Sequence, residues 1–235
     1  MFDQFRERSQ ELEHLDKGDY TAEEYEGCIV ELQRVNRWLG DASALRDSLL
    51  AEVEKLNLQN FSVIDVGAGS GELLRVVAEW ARKTGRKAQL TGLELNARSA
   101  SAIAERASTF PEITAIRGDA FRLPFVDGQF DYALCSLFTH HFKNAEVVGI
   151  LRELRRVSTR GMFVIDLHRH PVAYFFYTTI GRLFLHNRLL REDGALSILR
   201  SFTPRELLDL ARNAGLVNPR VERHFPYRLV LAVNN

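Results

Sequence analysis

Cysteine, an excess of either charge and long unbroken apolar runs are all scarce in this 235-residue chain, and each shortage excludes something. The two cysteines, Cys28 and Cys135, lie in apolar stretches without metal-ligand spacing, which excludes a disulfide framework and predicts buried thiols in a reducing compartment. The 31 basic residues balance the 31 acidic ones, so no bulk field draws the chain to nucleic acid or to an anionic membrane. The most apolar late stretch, Val172 to Leu190, is broken by Arg182, His186 and Arg188 and cannot form an uncharged bilayer span. The opening MFDQFRERSQELEHLDKGD alternates charge and lacks the apolar centre of a signal peptide. These features predict a cytoplasmic protein with no stable membrane insertion. No internal repeat or low-complexity segment is present.

The length suits one well-buried α/β domain with a small cap and is short for two independent domains. Residues 1–60 read as a helical extension. Thr21-Ala22-Glu23-Glu24 is a capping box, Tyr25, Cys28, Ile29, Leu32, Val35 and Leu39 repeat at helical spacing, Gly40 stops that helix, and Asp41 is placed to cap the next. Leu45, Leu49, Val53 and Leu56 give the second helix its apolar stripe. From Phe61, short β-rich runs alternate with amphipathic helices, the pattern of a parallel sheet covered on both faces. The spacing predicts strands at Phe61–Val66, Ala88–Glu94, Ile113–Arg117, Phe130–Ser136 and Gly161–Leu167, with helices at about 71–84, 97–108 and 144–158. Thr203-Pro204-Arg205-Glu206 opens a late helix that Gly215 ends. Two last strands, about 216–223 and 225–233, are too close for a crossover helix and must pair antiparallel. Residues 61–235 form the main domain, with a cap insertion at 168–202.

Four ordered signals carry chemistry. Val63 to Gly71, VIDVGAGSG, is a strand feeding a glycine-rich turn and a helix, which sets backbone amides and a positive helix end beside a ligand. Glu94, 23 positions beyond Gly71 at the end of an apolar run, can accept from both hydroxyls of a ribose, while Asn96 is free to cap the next helix. In Arg117-Gly118-Asp119-Ala120-Phe121 the Asp carboxylate can accept from an adenine amino group and Phe121 can pack on its ring. An ordinary Gly-Asp-Ala turn remains the alternative. Phe130 to Phe142 is a buried strand ending in a polar loop with His140 and His141, at the sheet edge where open α/β folds bind ligands.

Together these residues resemble the class I S-adenosylmethionine-dependent methyltransferases. The Gly-Asp-Ala and Phe-Asp-Tyr…His-His-Phe segments look especially like the quinone and small-molecule branch. The resemblance covers about residues 58–167 and, by topology, the C-terminal hairpin. It implies a Rossmann-like α/β fold with a seven-stranded, mostly parallel sheet and an antiparallel C-terminal hairpin. It also implies S-adenosylmethionine as cofactor, with S-adenosylhomocysteine as product. By the same resemblance Asp65, Gly67, Ala68 and Gly69 approach the methionine part, Glu94 and Leu95 the ribose, Asp119, Ala120 and Phe121 the adenine, and Ser136 and Leu137 the sulfonium side. A nicotinamide oxidoreductase fits less well, because the third glycine comes one residue early and no second nucleotide-binding half follows. An assembly protein that binds the cofactor without turnover is the other alternative.

The sulfonium donor is already activated, so positioning dominates and no metal is required, but a phenolic or acidic-carbon acceptor needs a base. In Asp166-Leu167-His168-Arg169-His170, alternation on an extended chain groups Asp166, His168 and His170. His141 and His168 are the leading bases, and each is also explicable as a loop or backbone partner. His168-x-His170 lacks further zinc ligands with suitable spacing. The aromatic density of 172–201, including Tyr174, fits a cap over an apolar acceptor, or else a core or homodimer contact. Arg37 and Trp38 can close the other side, offered to a carboxylate and a ring, or else be an exposed Arg and a packing Trp; His140 and His170 are further candidate substrate contacts. The expected reaction is methylation, on oxygen more than on carbon, of a lipophilic phenol, polyketide-like ring or quinone precursor, as in secondary metabolism. No basic stripe interleaved with aromatics points to nucleic acid.

Overall fold

A computed structural model describes residues 3–21, 23–24, 27–28, 31 and 40–234. Its centre is a seven-stranded sheet built of β1 (Asn60–Val66), β2 (Lys87–Glu94), β3 (Ile113–Arg117), β4 (Phe130–Ser136), β5 (Ser158–Leu167), β6 (Arg220–His224) and β7 (Arg228–Asn234). The spatial order is β3-β2-β1-β4-β5-β7-β6. The first five strands run parallel, and β7 pairs antiparallel with both β5 and β6. This is the expected architecture, and it puts the order reversal between β1 and β4, where a crevice opens at the strand ends.

The strands are apolar on both faces because both are covered. On one face Ile64, Val66, Ala133, Met162 and Val164 pack on the helices Asn144–Val157 and Pro204–Asn213. On the other, Val63, Leu134, Phe163 and Ile165 meet Leu45, Leu49, Val53, Leu74 and Val77. Each such buried side chain contributes about 1.5–3 kcal/mol of transfer free energy. Local signals set the element ends. Asn96 accepts from the Arg98 N–H to open the helix Ala97–Arg106, and Thr203 and Glu206 form a capping box ahead of Pro204. Thr21 and Glu24 also exchange their two expected bonds, at 2.9 and 3.1 Å. Cys28 and Cys135 are buried free thiols. β6 begins only at Arg220, because Pro219 has no amide to give a ladder.

Two differences from the sequence reading matter. Asp41 does not cap a helix. It is the first residue of the helical stretch that runs Asp41–Leu45, through a π turn at Arg46–Leu50, to Ala51–Lys55. Its carboxylate instead meets the buried guanidinium of Arg228 on β7, pinning this stretch to the sheet. Leu56, assigned to the apolar stripe, is exposed. Most of the apolar repeat from Tyr25 to Leu39, together with Arg37 and Trp38, lies outside the described residues. Among the described residues no helix is long and apolar enough to cross a membrane.

Removing one member of a buried ion pair strands the other charge, at about 3–5 kcal/mol. Asp41→Asn is therefore expected to lower stability in urea unfolding by roughly that amount. The Asp41→Leu, Arg228→Met double variant should regain most of it.

Candidate active site

Past Val66 the chain leaves the sheet, and both the Gly67 and Ala68 amides donate to the Leu93 carbonyl, at 3.0 and 3.3 Å. They are thus spent inside the turn and do not face a ligand. The Gly69 amide points outward, and in this structure it donates to Glu94 Oε1 at 2.6 Å. Gly67 and Gly69 have φ of 73° and 57°, the left-handed region that favours glycine. Their surroundings differ: a Cβ on Gly67 would lie 2.5 Å from the Phe138 ring, whereas one on Gly69 would meet nothing within 4 Å. Gly67 is the seat of an aromatic ring, and Gly69 is the open side of the cradle.

Asp65 ends the same strand at 2% exposure, and its Oδ1 is buried without a hydrogen-bond partner. Burial, reinforced by the nearby Glu94 carboxylate, pushes its pKa up to about 8. Burial also raises Glu94, against the hydrogen bonds from Gly69 and Leu95 that lower it. Leu95 is exposed beside it. An orphaned buried carboxylate, an acidic strand end and a glycine with open space before it fit a ligand bearing cationic groups and ribose hydroxyls.

In the segment expected to meet the adenine, Asp119 is exposed, and its Oδ1 accepts from the Phe121 N–H at 2.9 Å. This is the local turn foreseen as the alternative, and it leaves the segment at the mouth of the crevice. Ala120 is buried in the core. The partly exposed Phe121 ring meets Phe142 edge-on at 5.3 Å, and Phe142 meets Phe138 at 4.8 Å. A row of three rings thus runs from the Asp119 turn to Gly67.

The loop after β4 supplies the histidines. Ser136 is half-buried, and Leu137 takes a φ of 48°, unusual for a branched side chain and a mark of a turn held by its surroundings. The 3-10 turn Thr139–His141 then folds against β5. Asp166 receives Thr139 Oγ1 at 2.5 Å, His140 N at 3.1 Å, His140 Nδ1 at 2.6 Å and its neighbour Leu167 N at 2.8 Å. Burial would raise this carboxylate, but His140 and the other donors bring it down to about 2.

Asp166 is therefore the partner of His140, and the expected grouping with His168 and His170 does not form. The reason is local: β5 ends at Leu167, so strict alternation no longer applies. His168 donates its amide to the Tyr227 carbonyl, and its ring lies toward His170 and Tyr227. Burial first, then the positive groups His170, Arg223 and Arg169, push it down to about 4. His170 Nδ1 accepts from Val172 N and caps the cap's first helix, Pro171–Phe176. Tyr174 on that helix packs edge-on against Phe5 at 5.5 Å.

Sequence reasoning missed the N-terminal segment that crosses this loop. Arg8 donates to the carbonyls of His140 and Phe142, and Arg200 to those of His140, His141 and Glu11. Glu13, 3% exposed, is held by Ser197 Oγ at 2.7 Å. Its Oε2 and Asp16 Oδ2 lie 3.7 and 3.6 Å from His141 Nδ1. No local pattern in a polar N-terminus marks Glu13 or Asp16 as part of a site.

The comparisons agree with this geometry. Residues 63–161 match the family described as "Methyltransferase domain". The chain is 26% identical over 171 residues to a demethylmenaquinone methyltransferase of Bacillus licheniformis, covering 67% of this chain and 71% of that one. It is 32% identical over 113 residues to a 2-phytyl-1,4-naphtoquinone methyltransferase of Synechococcus elongatus, where it spans about half of each chain, 46%. Its fold is like that of the magnesium protoporphyrin IX methyltransferase of Synechocystis, solved with S-adenosylhomocysteine, at a TM-score of 0.59 and 17% identity over 86% of this chain and 87% of that one.

Two outcomes test the cradle. Unfolded Asp65 titrates near 3.9 and folded Asp65 near 8, so between those values the folded state keeps a proton that the unfolded state has lost. Stability should fall as pH rises from about 4 to about 8, and Asp65→Asn should flatten that slope in urea titrations. A cationic ligand favours the ionised carboxylate, so wild-type affinity for S-adenosylmethionine should tighten as pH rises toward about 8 and level off above it, measured by calorimetry. In the second test, Gly69→Ala should cost about 1–2 kcal/mol of stability yet weaken cofactor binding at least tenfold. Gly67→Ala, which must also displace Phe138, should lower the unfolding midpoint further. The domain match over residues 63–161 and the methyltransferase relatives support S-adenosylmethionine-dependent methyl transfer by this chain, with S-adenosylmethionine as its cofactor.

Proposed function

We propose that this methyltransferase acts on a small, lipophilic aromatic acceptor, a phenol, polyketide-like ring or quinone precursor, and methylates oxygen in preference to carbon. The observation that carries the reading is the buried Asp166–His140 pair, 2.6 Å apart, next to the row of Phe138, Phe142 and Phe121 that ends on Gly67. An aromatic row beside the cofactor cradle suits a flat apolar acceptor. A histidine whose Nδ1 proton is held by a carboxylate keeps a fixed tautomer, and its uncommitted Nε2 can assist loss of the acceptor's proton. His141, its ring 4.3 Å from that of His140 at a 34° tilt, extends this pair. His168, neutral near pH 7 because it is pushed down to about 4, is the alternative base.

The cap supports the lipophilic half of the reading. Leu183 and Phe184 are 75% and 71% exposed, and Phe176 and Ile180 are exposed on the same stretch. The relatives named for demethylmenaquinone and phytyl naphthoquinone act, by their names, on quinone-type compounds. S-adenosylmethionine supplies the methyl group. This chain's own residues bind and orient it through Asp65, Gly69 and Glu94, and they activate the acceptor hydroxyl through the histidine pair.

The test is transfer of a labelled methyl group to a panel of phenols, hydroxynaphthoquinones, protein and RNA. Label is expected on an aromatic small molecule. Asp166→Asn and His140→Asn should lower kcat about 100- to 10,000-fold while the Kd for S-adenosylmethionine stays within twofold. His141→Gln and His168→Gln decide between the other two: whichever keeps full turnover is not the base. Methylation of protein or RNA alone overturns the reading.

A further inference from the structure

Among the described residues, one group of potential ligands stands close enough to share an ion: Glu13, His140 and His141, each with one ligand atom within 4.8 Å of the others. We propose that these three residues form a binding site for a divalent first-row transition ion of the zinc type, at the acceptor end of the active site. The placement rests on the reading above only for what the ion would do.

Three observations point to an ion rather than to hydrogen bonds within the group. His141 Nδ1 is buried and has no hydrogen-bond partner, and it stands 3.7 Å from Glu13 Oε2. That gap exceeds a hydrogen bond but is close to the roughly 3.3–3.6 Å between neighbouring ligands on a tetrahedral ion with bonds of about 2.0–2.2 Å. His140 commits Nδ1 to Asp166 at 2.6 Å, which leaves Nε2 for an ion. This is the carboxylate–histidine–metal arrangement that fixes a ligating ring. Glu13 is likewise oriented from behind, its Oε1 accepting from Ser197 Oγ at 2.7 Å.

The charge balance allows a cation. Around the loop four carboxylates, Glu13, Asp16, Asp166 and Glu206, face three guanidiniums, Arg8, Arg169 and Arg200, and burial raises the pKa of Glu13, a cost that a bound cation would relieve. Asp16 Oδ2, 3.6 Å from His141 Nδ1 and 3.4 Å from Arg200 Nη1, is shared between these two groups and stands outside the three-residue group, adding field rather than a ligand. Two imidazoles and a carboxylate form a set that suits zinc and leaves a position open, as catalytic zinc sites do. On the reading above, an acceptor hydroxyl at that position would be polarised and lose its proton to solvent before methyl transfer. The histidines would then act as ligands and not as bases.

The experiment uses untagged full-length protein, freed of metal by dialysis against a chelator, with no S-adenosylmethionine and no acceptor. Zn²⁺ is titrated against a chromophoric competitor, and Co²⁺ against its visible d–d bands. One ion per chain is expected, with four-coordinate Co²⁺ bands. Affinity should fall at least tenfold in His141→Ala and Glu13→Gln, about 10- to 100-fold in Asp166→Asn, and less in Asp16→Asn. His186→Ala and Cys28→Ser should bind as wild type. His141 is partly exposed, so its variant carries the test if the buried ones fail to fold. Absence of stoichiometric binding, equal affinity in His141→Ala and Glu13→Gln, or loss of the ion in Cys28→Ser would overturn the site. A protein that binds zinc through these residues yet methylates no aromatic acceptor keeps the site and overturns the function proposed above.

Discussion

The Asp166 carboxylate sits in the core at the end of β5, and it is tolerable there only because four donors converge on it. Three of them come from Thr139 and His140, so the charge that must be satisfied dictates the path of the loop after β4. That path carries Phe138 onto Gly67 and closes the floor of the cofactor cradle. It also turns the carbonyls of His140, His141 and Phe142 outward, where no strand can bond them, and Arg8 and Arg200 take that role. Cradle, histidine pair and N-terminal segment are thus consequences of one buried anion.

Asp65 is the counterpart. It is equally buried at the end of β1, yet its Oδ1 has no partner, and its pKa moves up where that of Asp166 moves down. The same side chain in two buried places differs by the number of donors supplied. A satisfied carboxylate organises structure. An unsatisfied one is a standing preference for a positive ligand, held at a cost in stability. Glu94, which takes up the Gly69 amide, shares that preference and reinforces it.

What the sequence disclosed follows from the range over which each determinant acts. The five parallel strands, the Asn96 cap and the Thr203-Pro204 start are set by neighbours a few residues away, and the periodicity revealed them to within a few residues. The glycine turn and Glu94 were legible because a strand end and a tight turn leave a local signature. The partner of Asp166 was not. Alternation extended β5 beyond Leu167, whereas the carboxylate reaches back 26 positions to His140. Asp41 failed for the same reason: a capping residue by position, it is claimed by Arg228 from 187 positions away. Glu13 and Asp16 carry no local mark, since only the tertiary path of the N-terminus brings them to His141.

The division between near and distant determinants coincides with a division of labour. The segment matched as a methyltransferase domain, residues 63–161, contains Asp65, Gly69, Glu94, Asp119 and the histidine loop itself. The groups that close over that loop, Arg8, Glu13, Ser197 and Arg200, lie outside it on both sides. The glycine turn, Glu94 and the histidine loop are therefore carried on one contiguous stretch, and their signatures can be read in isolation. The far side of that loop is closed by the two flanks together, Arg8 donating to the Arg200 carbonyl and Ser197 to Glu13 across 192 and 184 positions of chain. A change among Arg8, Glu13, Ser197 or Arg200 therefore reaches the histidine loop first, and the glycine turn only through it.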